Sequence, residues 1–63
     1  MPIANINIIE GRSDEQKEAL VAEVTSAINR AIGAPEETIR VLIHEIPKQN
    51  WGIGGTSAKK LGR

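Results

Sequence analysis

Between residues 2 and 46 the apolar residues change their period twice, and that switch limits the chain to strand, helix, strand. From Pro2 to Ile9 they alternate. Ala4, Ile6 and Ile8 fall on one face and Ile3, Asn5, Asn7 and Ile9 on the other, as in a strand with one strongly apolar side. Leu20, Val21, Val24, Ala27, Ile28, Ala31 and Ile32 then recur at helical spacing as one stripe. Ser13 followed by Asp14, Glu15 and Gln16 reads as a capping box, its acids placed at the positive end of the helix dipole. Gly33 supplies a left-handed stop and Pro35 prevents continuation, so the spacing predicts a helix over 14–32. A second strand is expected over 39–46. Ile39, Val41 and Ile43 share one face and Arg40, Leu42, His44 and Ile46 the other, a two-sided apolar pattern expected of a strand covered on both sides.

In that order the three elements make a right-handed β-α-β unit with a parallel strand pair, an α+β architecture filling residues 1–63 as one domain. Pro47 ends the second strand. Asn50-Trp51-Gly52-Ile53-Gly54-Gly55-Thr56 has the composition of a tight hairpin or loop, and the basic tail from Ser57 to Arg63 that of one helical turn or a frayed end. One helix covers only one face of two strands. A chain of 63 residues buries only about 60% of its unfolded surface, and this one has no cysteine to staple it and no clustered metal ligands. Self-association is the remaining source of stability. Two such units side by side would form a four-stranded sheet with two helices, and the bare faces would then pack together. Residues far apart in one chain would meet across subunit boundaries.

Eight basic residues balance eight acidic ones, which argues against a nucleic-acid partner held by phosphate neutralisation. The N-terminal apolar run is broken by Asn5 and Asn7 and lacks the basic flank of a signal peptide. No apolar run approaches the roughly 20 residues of a membrane span. The expectation is a soluble cytoplasmic protein with no membrane partner.

With no Cys, Tyr or Phe and one His, few side chains can do chemistry. Pro2 is the unusual one: removal of Met1 would expose a secondary amine, a titratable base on a ring of fixed φ, whereas an internal proline nitrogen is an amide. Small residues also commonly follow Met1, and prolines commonly open strands. Arg12 lies in the turn after the first strand, where an exposed arginine needs no explanation. Arg40 falls within an otherwise apolar strand and there needs a partner, either an acid such as Glu45 or Glu10 or the carboxylate of a ligand. Trp51, the only aromatic residue, suits an interface plug or the apolar wall of a small site. Gly52-Ile53-Gly54-Gly55 lacks the spacing and Lys-Ser/Thr ending of a phosphate loop, His44 has no nearby second ligand, and Ser13 is a helix cap.

Met1-Pro2-Ile3-Ala4, Ile9-Glu10-Gly11-Arg12-Ser13-Asp14-Glu15-Gln16-Lys17, Arg40-Val41 and Trp51-Gly52-Ile53-Gly54-Gly55 occur in order and at compatible spacing across the whole chain. Together they resemble the 4-oxalocrotonate tautomerase family, also called 2-hydroxymuconate tautomerases. The resemblance implies an N-terminal proline freed by loss of Met1, no metal or organic cofactor, and a homohexamer built as a trimer of dimers. By position, Pro2 corresponds to the general base and Arg12 to the arginine that binds the distal substrate carboxylate. Arg40 corresponds to the one that binds the carboxylate beside the carbonyl and stabilises charge on its oxygen. In that family both arginines reach the proline from neighbouring protomers. Ile9 corresponds to a backbone contact, and Trp51 stands where phenylalanine is common, which adds bulk and an N–H.

The implied reaction is a 1,3-proton transfer in 2-hydroxymuconate through a dienolate to the conjugated 2-oxo-3-enedioate, with a small dicarboxylate as substrate. Tautomerisation of arylenolpyruvate-type monoacids and a non-catalytic oligomeric interaction module are the alternatives. The related haloacrylate dehalogenases add an arginine near the end of the first strand and an acid in the glycine-rich loop. Ile9 and Ile53 occupy those regions here, which disfavours hydrolytic dehalogenation.

Overall fold

A computed structural model describes all 63 residues. Strand β1 spans Ile3–Ile9, helix α1 Asp14–Ile32 and strand β2 Arg40–Ile46, and β1 and β2 pair in parallel from Ile3 opposite Arg40 to Ile9 opposite Ile46. The helix has the bounds that its caps dictate. Ser13 Oγ accepts from the Gln16 N–H at 3.2 Å while the Ser13 N–H donates to Gln16 Oε1 at 2.9 Å, and Gly33 closes the helix at φ 73°. Each strand begins one residue later than the periodicity suggests. Pro2 has no N–H to give to a ladder, and Ile39 instead closes a 3-10 turn over Glu36–Thr38, its N–H donating to Glu36 O at 3.0 Å.

A second 3-10 turn, Lys48–Asn50, follows Pro47 and leads into the hairpin of β3 (Gly52–Ile53) and β4 (Thr56–Ser57). Gly54 and Gly55 both have positive φ, the requirement of the tightest hairpin turns. The basic tail is a helical turn, α2 (Ala58–Leu61), capped by Ser57 Oγ on the Lys60 N–H and by left-handed Gly62.

This protomer does not bury a core. Only Ile39 and Ala58 fall below one-tenth exposure. The radius of gyration is 14.5 Å, against about 11 Å for a compact chain of this length. Leu20, Val24 and Ile28 on α1 turn toward the sheet and are half-buried, but Val21, Ala27, Ala31 and Ile32 from the same stripe are exposed. On the sheet face away from the helix, Ile3 is 58% and Leu42 47% exposed. The two-sided cover expected of β2 is therefore missing within one protomer. A lone two-stranded pair with one helix is marginal in water, so the bare apolar surface requires partners.

Candidate active site

The parallel register separates the candidate residues into two groups. Pro2 and Arg40 sit at the N-terminal end of the sheet, where the Arg40 N–H donates to Pro2 O at 3.0 Å. Ile9, Arg12 and Trp51 sit at the other end, lining one open cleft of about 440 Å³. Seven strand residues at about 3.3 Å each put roughly 23 Å between the two ends. One protomer does not bring the five residues together.

Arg40 is exposed, not buried as its strand position suggests, because the sheet face that carries it has no cover. Neither proposed acid partners it. Its Nη1 donates to the backbone carbonyls of Glu37 at 2.9 Å and Ile39 at 3.4 Å. Glu45 is on the helix side of β2 and binds Lys17 Nζ at 2.9 Å, with Asp14 a second acid at 3.4 Å. The hydrogen bond to Glu45, reinforced by Asp14 and opposed by desolvation, holds the Lys17 ammonium above the ordinary lysine range. This bridge clamps α1 to β2 and leaves Arg40 free of any carboxylate. With Met1 in place, Pro2 nitrogen is an amide and Met1 itself is 80% exposed.

At the opposite end, Glu10 N–H donates to Ile46 O at 3.0 Å, which holds the two strands together up to the turn that carries Arg12. The turn after Pro47 sets Trp51, whose N–H donates to Lys48 O at 3.3 Å and whose carbonyl accepts from the Ala58 N–H at 2.7 Å. Trp51 is half-buried, as a cleft wall must be. Asn7, Ile8, Lys48 and Arg63 complete the lining. Lys48 and Arg63 were not distinguishable in the linear sequence, where both belong to ordinary solvated segments. Only the turn after Pro47 and the left-handed Gly62 bring them to Arg12. No group of three or more His, Cys, Asp or Glu side chains is arranged to hold a metal ion.

The arrangement pairs a potential base and an unpaired guanidinium at one end with a half-apolar cationic cleft at the other. Its charge and partly apolar lining suit the binding of a small anion. A family model described as tautomerase enzyme matches residues 2–61. A 2-hydroxymuconate tautomerase from Stutzerimonas stutzeri is 60% identical over the full length of both chains. The solved structure of a 4-oxalocrotonate tautomerase isozyme from Methylibium petroleiphilum superposes with a TM-score of 0.95 at 60% identity, covering 98% of this chain and 100% of the other. A heterohexameric 4-oxalocrotonate tautomerase from Chloroflexus aurantiacus J-10-fl is 36% identical, with a TM-score of 0.92 over 97% of this chain and 98% of its own. With the matched residues and the superposed structure both spanning nearly the whole chain, the protein belongs to the tautomerase family of enzymes.

Proposed function

We propose that this chain, once Met1 is removed, is a cofactor-independent tautomerase acting on 2-hydroxymuconate-type dienols, with Pro2 as the general base. The observation that carries the proposal is the division of the candidate residues between the two ends of one sheet. Pro2 at one end and Ile9, Arg12 and Trp51 at the other are what a site shared between protomers requires. The exposed Arg40 of a neighbour, free of any carboxylate, is available to complete it. The uncovered sheet face and helix flank support the assembly that would close it, a homohexamer formed as a trimer of dimers, each dimer a four-stranded sheet with two helices.

The base must be neutral near pH 7 and able to return its proton. A terminal amine titrates near 8. Two guanidinium groups at about 7 Å would each disfavour its protonated form by roughly 2 kcal/mol at an effective dielectric constant of 20, and only about 0.6 in bulk water. A site closed over Trp51 by neighbouring subunits excludes water and moves the balance toward the larger figure. Arg12 and Arg40 thereby hold Pro2 in its neutral, proton-accepting form while attracting the two substrate carboxylates.

Pro2 takes the proton of the C2 hydroxyl, the electron pair delocalises as a dienolate, and the proton returns at C5 to give the 2-oxo-3-enedioate. Counted by atoms, that delivery is a 1,5-shift. A 1,3-shift describes the related passage from the unconjugated 2-oxo-4-enedioate, in which Pro2 moves a proton from C3 to C5. Arg40 stabilises the oxygen of the dienolate and Arg12 anchors the distal carboxylate. Steady-state turnover of 2-hydroxymuconate by mass-verified, Met1-free protein tests this reading, and absence of turnover defeats it. The monoacid alternative predicts an arylenolpyruvate as the better substrate. The interaction-module alternative needs Arg40 to be paired internally with an acid, and no such pair exists in the protomer.

A further inference from the structure

The mechanism uses one of the three cations around the cleft. Arg12, Lys48 and Arg63 all line it, and no acidic side chain does. None of the three has an ion pair, since both salt bridges of the protomer are made by Lys17. Gathering like charges around a half-apolar concavity is unfavourable until an anion enters. The gathering is built by the backbone. Lys48 opens the turn onto which the Trp51 N–H closes. Arg63 follows left-handed Gly62 (φ 76°), and its N–H returns to Ala58 O at 2.9 Å. Ala58 is fully buried and donates to Trp51 O, so Lys48, Trp51 and Arg63 are fixed to a common anchor.

We propose that Lys48 and Arg63 are specificity-determining residues that extend the anion site of Arg12. They favour substrates carrying a second carboxylate remote from the reacting carbons over singly charged ones. The substrate class rests on the tautomerase reading; the binding preference does not depend on turnover. A monoanion held through its single carboxylate at the Arg40 end brings no counter-charge to the three side chains, whereas a dianion satisfies both ends. Discrimination arises from that difference. Guanidinium and ammonium divide the work, Arg12 and Arg63 able to grip a carboxylate in bidentate fashion and Lys48 acting as a mobile point charge.

Trp51 is the only aromatic residue and walls this cleft, so its emission reports on ligands held in the assembled site that the cleft completes. The parent and the Lys48→Gln/Arg63→Gln double variant are titrated with adipate, an unreactive six-carbon dianion, and with hexanoate as the monoanion, at low and high salt. The dissociation constant for adipate is expected to rise roughly 10-fold in the double variant, with a flatter salt dependence, while hexanoate is unchanged. The kcat/KM for 2-hydroxymuconate falls by a similar factor, mostly through KM, and Lys48→Arg keeps the parent preference. Unchanged adipate binding in the double variant overturns the proposal, as does equal weakening of both ligands or a parent with no preference for adipate. A protein that selects adipate through these residues but turns over no dienol keeps this inference and removes the tautomerase reading.

Discussion

The two ends of the β1–β2 sheet are built from the same ladder and differ in what they lack. The N-terminal end has Pro2 and an exposed Arg40 hydrogen-bonded to backbone carbonyls, on open surface. The C-terminal end has a cationic cleft walled by Trp51, and no residue suited to be a base. A chain this short cannot fold one end back onto the other, because its one long helix is already used to cross between the strands. What one protomer separates by a strand length, a neighbour laid across the bare sheet face can reunite. On the proposed reading, the apolar surface that so small a chain leaves exposed is the means by which the two ends would meet.

The largest expected effect falls on the proline end. In Met1-free protein, Pro2→Ala should lower kcat for 2-hydroxymuconate by about 100- to 10,000-fold, the usual share of a positioned acid–base group. Full turnover by that variant would leave the proline end without a role. Arg12→Ala tests the cleft end and should cost less, on the order of 10- to 100-fold in kcat/KM for the diacid, with arylenolpyruvate turnover little changed. Comparable losses for both substrates would mean that the cleft does not read the second carboxylate.

The separation itself is open to a mixing experiment. Pro2→Ala and Arg12→Ala chains, each well below the parent kcat/KM alone, are unfolded together and reassembled at equal ratio. If each site takes Pro2 from one protomer and Arg12 from another, roughly a quarter of the sites in random assemblies are intact, one half times one half. No recovery would place both groups in the same protomer and contradict the division.

Smaller effects concern the frame between the ends. Ser13→Ala removes the α1 cap and should cost about 1 kcal/mol of stability, measured by denaturant unfolding at fixed protein concentration. Lys17 gives a pH dependence of definite sign. Its folded pKa lies above the ordinary lysine value of 10.5, so its clamp on Glu45 is at full strength below that value and is lost as pH rises through the folded one. Lys17→Met should flatten the alkaline decline in thermal midpoint. A decline of the same steepness in the variant would assign it to another group.

The helix and the two strands were legible because their signals are local. Ser13 and Gln16 cap each other three residues apart, Gly33 needs only its own φ, and a period of two survives any tertiary context. Arg40 misled for the opposite reason. A β-branched strand looks buried on both faces whether its cover comes from its own chain or from another, and the periodicity carries no information on which. The tail was similarly ambiguous until Ala58 found its pocket against the Trp51 carbonyl, which turned a basic, frayed-looking segment into a fixed support for Arg63.

The sequence by itself determined the β-α-β order, the helix bounds, the need for partner chains and the residue types able to carry the chemistry, since each follows from local periodicity, capping or composition. Only the tertiary structure decided that these residues occupy opposite ends of the sheet, that Glu45 belongs to Lys17, and that Lys48 and Arg63 join Arg12 around Trp51. Those facts depend on strand register and on where two turns point. They are relations between distant segments, fixed by hydrogen-bond pairing and packing that no linear pattern contains.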